Sequence, residues 1–228
     1  MIKDTKWIDC SYTTLTPVKR ILALQSIKER TAQYEIFNKI FTPSGKIKIL
    51  DVGVSSEMVL PDSNMFENLY PYLSMLTLAT IEDSKKLRKI YPQCEVVKIT
   101  PHKKLPFRNK QFDIAVSWAT LEHVGGYHDQ EFFLHELTRV SKRIYVTTPY
   151  RGCIYEPHTG FFFLHWLPLV VFRKICSITK RKFWANESNL NPLYISDLQK
   201  LLPKNKNMKI KLYYMFRFLP SHLIIYSG

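Results

Sequence analysis

The segment Lys46-Ile47-Lys48-Ile49-Leu50-Asp51-Val52-Gly53-Val54-Ser55-Ser56-Glu57 decides how the chain is read. Lysines alternate with apolar residues, and the run then ends in an acid, a glycine and two hydroxyl residues. Period-two alternation marks a strand, and a glycine just past its end lets the backbone turn with no Cβ in the way. In an open α/β sheet, a nucleotide-like ligand lies at the carboxyl edge of the first strand. The stretch therefore predicts a first strand and a binding edge together.

Upstream, residues 19–41 place Leu24, Ile27, Tyr34, Phe37 and Phe41 at helical spacing, and Thr42-Pro43-Ser44-Gly45 ends that helix. Downstream, strands are predicted over Leu76–Ile81, Glu95–Ile99, Phe112–Trp118 and Arg143–Thr148. The fourth of the five, FDIAVSW, is apolar enough for a parallel strand buried on both faces. Glu82-Asp83-Ser84 opens a short helix that stops at Pro92, and Asp129–Val140 forms an amphipathic helix. After an aromatic stretch, Ser196 is expected to cap a helix through Leu202, and strands follow around Met208–Tyr214 and Leu223–Tyr226. Alternating strands and helices wind a sheet covered on both faces, and the last two strands are close enough in sequence to pair antiparallel. The expectation is an α/β doubly wound, seven-stranded, mostly parallel sheet with an antiparallel edge and an aromatic helical insertion after strand 5.

The chain has 228 residues, 46% of them hydrophobic, enough for one sizeable α/β core and read as a single domain. The formal charge of +14 suits an anionic partner such as nucleic acid, a phospholipid surface or a phosphorylated substrate; a solvated lysine-rich exterior accounts for it equally. Four cysteines with no C-x-x-C pair argue against a zinc ribbon or a disulfide framework and fit a reducing compartment. The first residues lack the apolar core of a signal peptide, and no run reaches the ~18 apolar residues of a spanning helix. A cytoplasmic protein is expected.

Three patterns bear a family resemblance: ILDVGVSSE at 49–57, LPFRNKQFDIAVSWATLEHV at 105–124 and ELTRVSKRIYVTTP at 136–149. Together they look like the class I S-adenosylmethionine-dependent methyltransferases, whose sheet is Rossmann-like. HTGFFFLHWLP at 158–168 and NESNLNPL at 186–193 resemble a bacterial subgroup of methyltransferase-domain proteins, often of unassigned substrate. The resemblance implies an N-terminal helical cap over 1–44, a cofactor-binding core over 45–150, an aromatic lid over 151–195 and a closing helix and strand pair over 196–228.

It further implies S-adenosylmethionine as cofactor. Gly53 and Ser55 would frame the turn where backbone amides approach the cofactor's carboxylate, and Asp51 would face its ammonium group. Glu82, or failing it Asp83, would accept from the ribose hydroxyls, and Ser117, Trp118 and Ala119 would face the sulfonium. Several positions depart from the family pattern. Ser55 and Glu57 stand where further glycines are usual, Pro101 falls near the adenine-contacting position, and a loop through Met58–Asn64 lengthens the approach to Glu82.

Each candidate also has a plainer role: Asp51 capping its turn, Glu82 favouring a helix N-terminus, His123 packing as a structural histidine. Glu122 and His123, just after the fourth strand, are the candidates for removing a proton from an acceptor. His158 and His165, seven apart, would share a helix face, but without a third ligand at clear spacing no metal site is expected.

Phe161–Phe172, followed by Arg173, Lys174, Lys180, Arg181 and Lys182, reads either as a lid over a substrate pocket or as a helix in a membrane interface. The expected function is methyl transfer to a small-molecule, sugar or lipid-linked acceptor, with possible peripheral membrane contact through 161–182. The alternatives are a degenerate binding subunit and a nucleic-acid methyltransferase. The last is disfavoured because aromatic residues cluster in one segment instead of interleaving with basic ones. A nicotinamide-dependent oxidoreductase would want a fuller G-x-G-x-x-G after the first strand.

Overall fold

A computed structural model describes residues 17–56, 62–204 and 207–227, with the backbone alone for 17–22. Glu57 and the Met58–Pro61 part of the expected covering loop lie outside the described residues, as do the first sixteen residues of the N-terminal cap. Seven strands form one sheet in the order β3-β2-β1-β4-β5-β9-β8, and a two-stranded ribbon, β6-β7, stands apart. The expected mostly parallel sheet with an antiparallel edge is what the chain forms. Two compact units divide the chain between Lys98 and Ile99.

In the first unit, helix α1 (Pro17–Phe41) starts on a proline, whose missing N–H costs nothing at a helix start. It stops where Thr42 takes a left-handed φ of 44° ahead of Pro43. Its C-terminal half is the anchored half. Tyr34, Phe37 and Phe41 are buried, and Phe37 meets Phe66 of α2 (Met65–Leu69) edge-on at 5.1 Å. Leu24, expected on the apolar face, is exposed instead. β1 (Ile49–Val52) and β2 (Leu76–Thr80) are buried throughout and pair in parallel, as do β2 and β3 (Glu95–Lys98). Between them α3 (Ser84–Ile90) is capped by Asp83, whose carboxylate accepts from the amides of Lys85 at 2.9 Å and Lys86 at 3.3 Å.

In the second unit, β4 (Phe112–Trp118) and β5 (Ser141–Pro149) pair in parallel, and β9 (Leu219–Ser227) runs antiparallel between β5 and β8 (Met208–Met215). Helix α4 (Tyr127–Val140) begins two residues before the expected Asp129, because that side chain reaches back 3.1 Å to the Gly126 amide. Gly125, at φ 119°, sits where a Cβ would fall 2.4 Å from an Asp129 oxygen. Later, α6 (Ile195–Leu201) is capped at Tyr194 through Asp197, so Ser196 lies inside the helix and is not its cap.

The insertion leaves and rejoins the sheet at one place, where Tyr150 bridges Leu193 and the Arg151 amide reaches the Leu193 carbonyl at 3.0 Å. It contains the ribbon β6 (Tyr155–Glu156) and β7 (Phe161–Phe162), helix α5 (Leu169–Ile178) and short 3-10 turns. It is less helical than the sequence suggested. Arg151 is buried and threads it, donating to the carbonyls of His165 at 3.0 Å and Leu167 at 2.7 Å and lying 4.6 Å over the Tyr194 ring.

The loop before β4 is tied down by Arg139 of α4. Its guanidinium donates to the carbonyls of Leu105 (2.9 Å) and Phe107 (2.8 Å) and to both Glu136 oxygens, while the Leu105 amide also reaches Glu136 at 2.8 Å. This is the physical content of the LPF and ELTRV patterns. R139A takes the charged partner from Glu136, which keeps only the Leu105 amide, and the guanidinium donors from the Leu105 and Phe107 carbonyls, and is expected to cost roughly 2–4 kcal/mol in urea denaturation. A loss within 0.5 kcal/mol of zero would show that solvent replaces these bonds.

Candidate functional site

The first unit supplies the candidate cofactor groups. Asp51 is the third residue of β1, nearly inaccessible, and forms no ion pair among the described residues. Burial, and then the neighbouring Glu67 carboxylate, hold its carboxyl well above the usual carboxylate range against one backbone hydrogen bond from Val52. Glu67, in α2, is buried as well. Desolvation pushes it up to about 7, although its own amide and the Arg30 charge pull the other way. A buried acid pair short of positive charge suits an incoming ammonium group, and Asp51 fits that role.

Gly53 takes φ 101°, a left-handed region open to glycine, so the turn after β1 needs this residue. The amides that follow are already engaged. Gly53 and Val54 both donate to the Ala79 carbonyl (3.0 and 3.4 Å), Ser55 to Asn64 Oδ1 (3.3 Å) and Ser56 to Glu82 Oε2 (2.6 Å). Asn64 also donates 2.8 Å to the Ser55 carbonyl, so it clasps that peptide from both sides. A ligand carboxylate at this turn would have to take the Ser56 amide over from Glu82.

Glu82 accepts from the hydroxyls of Ser55 (3.2 Å to Oε1, 3.1 Å to Oε2) and Ser56 (2.8 Å to Oε2). Oε1 thus takes a single donor and keeps lone-pair capacity for a ribose hydroxyl. Asp83 is spent on the α3 cap, and those backbone bonds lower its pKa. Of the two acids, Glu82 is the one that keeps an oxygen with spare accepting capacity.

In the second unit, β4 ends in Ser117, which is buried, Trp118 and Ala119, whose left-handed φ of 50° is strained for a residue with a Cβ. Beyond it Leu121–His123 forms one 3-10 turn. Glu122 is fully buried; its Oε2 accepts from the Thr148 hydroxyl at 2.9 Å, and its Oε1 has no hydrogen-bond partner among the described residues. His123 Nδ1 lies 2.6 Å from the Asn189 carbonyl, and its Nε2 lies 3.1 Å from His158 Nε2.

His158 belongs to the turn between β6 and β7, where its Nδ1 is 2.6 Å from Glu156. Burial opposes ionisation of Glu156, but His158 and the two donors of Thr159 prevail and hold its carboxyl at about 2. His165 sits in a separate 3-10 turn, fully buried and bonded 2.8 Å to the Cys153 carbonyl. No helix spans His158 and His165, so the shared face they would have on one does not form. Glu67, Asn64, Glu156 and Asn189 were not singled out from the sequence. Only the Glu156-x-His158 spacing offered a signal.

Similarity to known proteins bears on the class. Residues 68–143 match the family model of a methyltransferase domain. Among solved structures, a SAM-dependent methyltransferase from Methanosarcina mazei is similar at 16% identity over 81% of this chain and 93% of that one, with a TM-score of 0.52. An S-adenosylmethionine-dependent methyltransferase from Mesorhizobium loti reaches 0.57 at 11% identity, over 86% and 97% of the two chains. One from Aquifex aeolicus reaches 0.50 at 13% identity, over 98% and 97%. No curated protein sequence matches the chain. Sheet order, antiparallel edge and these structural similarities define the fold: it is that of the class I S-adenosylmethionine-dependent methyltransferases, and residues 68–143 match the methyltransferase-domain model.

The acid pair has a pH signature. Glu67 titrates near 7 in the fold against an ordinary 4.5, so the fold favours its protonated form, and that stabilisation is lost as pH rises from 4.5 through 7. The difference corresponds to about 3 kcal/mol. E67Q is expected to be more stable than the parent at pH 8 and to show a shallower fall in urea midpoint between pH 5 and pH 8. An unchanged slope would place the titration elsewhere.

Proposed function

We propose that the protein transfers a methyl group from S-adenosylmethionine to a lipid-linked or otherwise membrane-presented acceptor, working from the cytoplasmic side as a peripheral protein. The single observation that carries the transfer reading is Asp51, a buried and cation-poor acid at the end of the first strand of a methyltransferase fold. The cofactor supplies a methyl group on positively charged sulfur, so the protein's task is alignment and, for a hydroxyl or amine acceptor, removal of one proton.

Asp51 would hold the ammonium group, Gly53 and Ser55 shape the turn beside it, and Glu82 Oε1 would take a ribose hydroxyl. Ser117, Trp118 and Ala119 are proposed as further cofactor contacts. Glu122 and His123 are the groups proposed to handle the acceptor's proton. The Asn189 carbonyl takes the Nδ1 proton of His123, which leaves the lone pair on Nε2.

The lipid reading rests on the insertion's outer face. Phe162, Phe163, Trp166, Val170, Ile178 and Phe183 are exposed, with Lys174, Lys180 and Lys182 exposed among them. Only Phe172, Cys176 and Leu190, with partners such as Leu164 and Trp184, form the inward cluster. Aromatic residues beside lysines suit an anionic lipid surface. No helix among the described residues is long and apolar enough to cross a membrane.

Isothermal titration with S-adenosylmethionine and S-adenosylhomocysteine tests the transfer reading. Binding is expected to weaken at least tenfold in D51N and, below pH 7, to release protons from the acid pair as the ammonium group arrives. Folded protein giving no heat with either ligand would leave a non-catalytic scaffold.

Sedimentation with vesicles tests the surface. The protein is expected to pellet with phosphatidylglycerol-containing vesicles and not with pure phosphatidylcholine, and F162S/W166S/V170S is expected to stay in solution. Equal pelleting of the triple variant would remove the lipid-facing assignment.

A further inference from the structure

Three side chains of the second unit point lone pairs at one another. His123 Nδ1 sits 2.6 Å from a carbonyl oxygen, which can only accept, so Nδ1 carries a proton and, in the neutral ring, Nε2 presents its lone pair. His158 Nδ1 sits 2.6 Å from Glu156, a carboxylate that also accepts from the His158 and Thr159 amides and the Thr159 hydroxyl. The same assignment follows for the neutral His158 ring. Yet the two Nε2 atoms face each other at 3.1 Å, with the ring planes 84° apart. Two acceptors do not approach so closely unless something positive lies between them. Glu122 Oε1, buried and without a hydrogen-bond partner among the described residues, lies 3.8 Å from His123 Nε2.

We propose that Glu122, His123 and His158 bind a divalent first-row transition-metal ion through one carboxylate oxygen and the two Nε2 atoms. The three ligand atoms lie within 4.8 Å of one another. With metal–nitrogen bonds of about 2.1 Å, a 3.1 Å separation of the nitrogens subtends about 95° at a shared ion. That angle is nearer to octahedral than to tetrahedral coordination. Two imidazoles and a carboxylate on one face leave positions open, the arrangement that suits iron(II) and its first-row neighbours and not magnesium, which prefers all-oxygen ligands.

The surroundings are those of a prepared site. Each imidazole is oriented through its other nitrogen, by the Asn189 carbonyl and by Glu156, and such outer contacts fix the tautomer and strengthen the ligand. Thr148 holds Glu122 Oε2 and leaves Oε1 for the ion. Trp184 packs against both rings, with centroids at 6.0 Å from His123 and 5.1 Å from His158. An ion here would bind an acceptor oxygen and lower its pKa, so that the oxygen would give its proton to solvent water and stand as the nucleophile, with His123 serving as a ligand in place of a base. That role toward the acceptor rests on the methyltransferase reading, whereas the binding of the ion does not.

The full chain, stripped with EDTA, is titrated with Co2+, Mn2+ and Mg2+ by calorimetry and, for Co2+, by visible absorption. One Co2+ per chain with a d–d band is expected, with Mn2+ competing for it and Mg2+ far weaker. H158A and E122Q are expected to lose at least tenfold in Co2+ affinity. E156Q is expected to lose about 10–100-fold through the orientation of His158 alone. H135A, on the exposed side of α4, is expected to bind as the parent does.

The parent titration stands by itself if a variant misfolds, which circular dichroism reports. Failure of the parent to bind Co2+ stoichiometrically, or H158A binding it equally, overturns the proposal in favour of a proton shared between the two rings. Cofactor titration of the same stripped protein is read separately, so loss of the metal site and loss of the methyltransferase reading give different results.

Discussion

The second unit depends on Asn191. This buried residue donates its amide to the Glu122 carbonyl at 2.7 Å and exchanges two hydrogen bonds with the buried Gln130 side chain, at 2.8 and 3.0 Å. Its remaining oxygen accepts from Arg173 at 2.9 Å, and Gln130 also holds the Leu121 carbonyl at 3.0 Å. One asparagine thus joins the turn after β4, the first turn of α4 and the return of the inserted segment to the sheet. Buried polar groups in a satisfied network are rigid, and each left unpaired costs about 1–3 kcal/mol. The geometry of Glu122 and His123 follows from this closure, because the same returning strand of chain carries Asn189 to the His123 ring.

Why the fold was legible and the site only partly so has a physical basis. β4 and the Ile144–Val146 centre of β5 are buried apolar runs that the sequence shows directly, and β1 is announced by the alternation of lysines with apolar residues that leads into it. The hairpin of β8 and β9 is short enough in sequence to announce an antiparallel edge. Helix starts were missed where the cap lies on an inward-reaching carboxylate, as at Asp129 and Asp197, because only the folded turn shows which way that carboxylate points. The choice between Glu82 and Asp83 was equally local. Asp83 caps α3, and Glu82 is left to face the serines. Glu67 and the pairing of His123 with His158 were invisible because they depend on chain segments far apart in sequence meeting in space. The seven-residue spacing of His158 and His165 would have meant a shared face only on a helix, and the aromatic segment around them, which carries no clear period, forms a ribbon and a 3-10 turn instead.

The buried acids of the two units obey one rule with opposite outcomes. Desolvation is the largest influence on Asp51, Glu67 and Glu156 alike, and it always favours the neutral form. Glu156 is overruled by an imidazole and by the amide and hydroxyl of Thr159, and it stays ionised. At Asp51 the like charge of Glu67 adds to desolvation, and at Glu67 burial outweighs its own amide and the Arg30 charge, so both are pushed toward the proton. A structural acid is normally compensated in the way Glu156 is. Leaving a pair uncompensated at a strand end is costly to the folded chain, and the cost makes sense where a cationic ligand group repays it on binding.

The same reasoning applies to the insertion. If the aromatic segment were only a lid packed on its own unit, its largest side chains would turn inward, since burying each would contribute about 1.5–3 kcal/mol. Instead α5 buries Phe172 and Cys176 and presents Val170, Val171, Lys174 and Ile178 outward, and the ribbon and turns add Phe162, Phe163 and Trp166. Room inside does not explain the choice, because smaller partners such as Leu164 and Leu169 fill the inward cluster. Neither does helix periodicity, which would allow the stripe to be rotated. Exposed aromatic and aliphatic side chains of this number, interspersed with lysines, are unfavourable in water and would be favoured at an anionic lipid boundary, which is the argument for the proposed surface. The insertion therefore has two layers: an inner one that holds His158 against His123, and an outer one whose exposed rings and lysines are the basis of the proposed lipid contact.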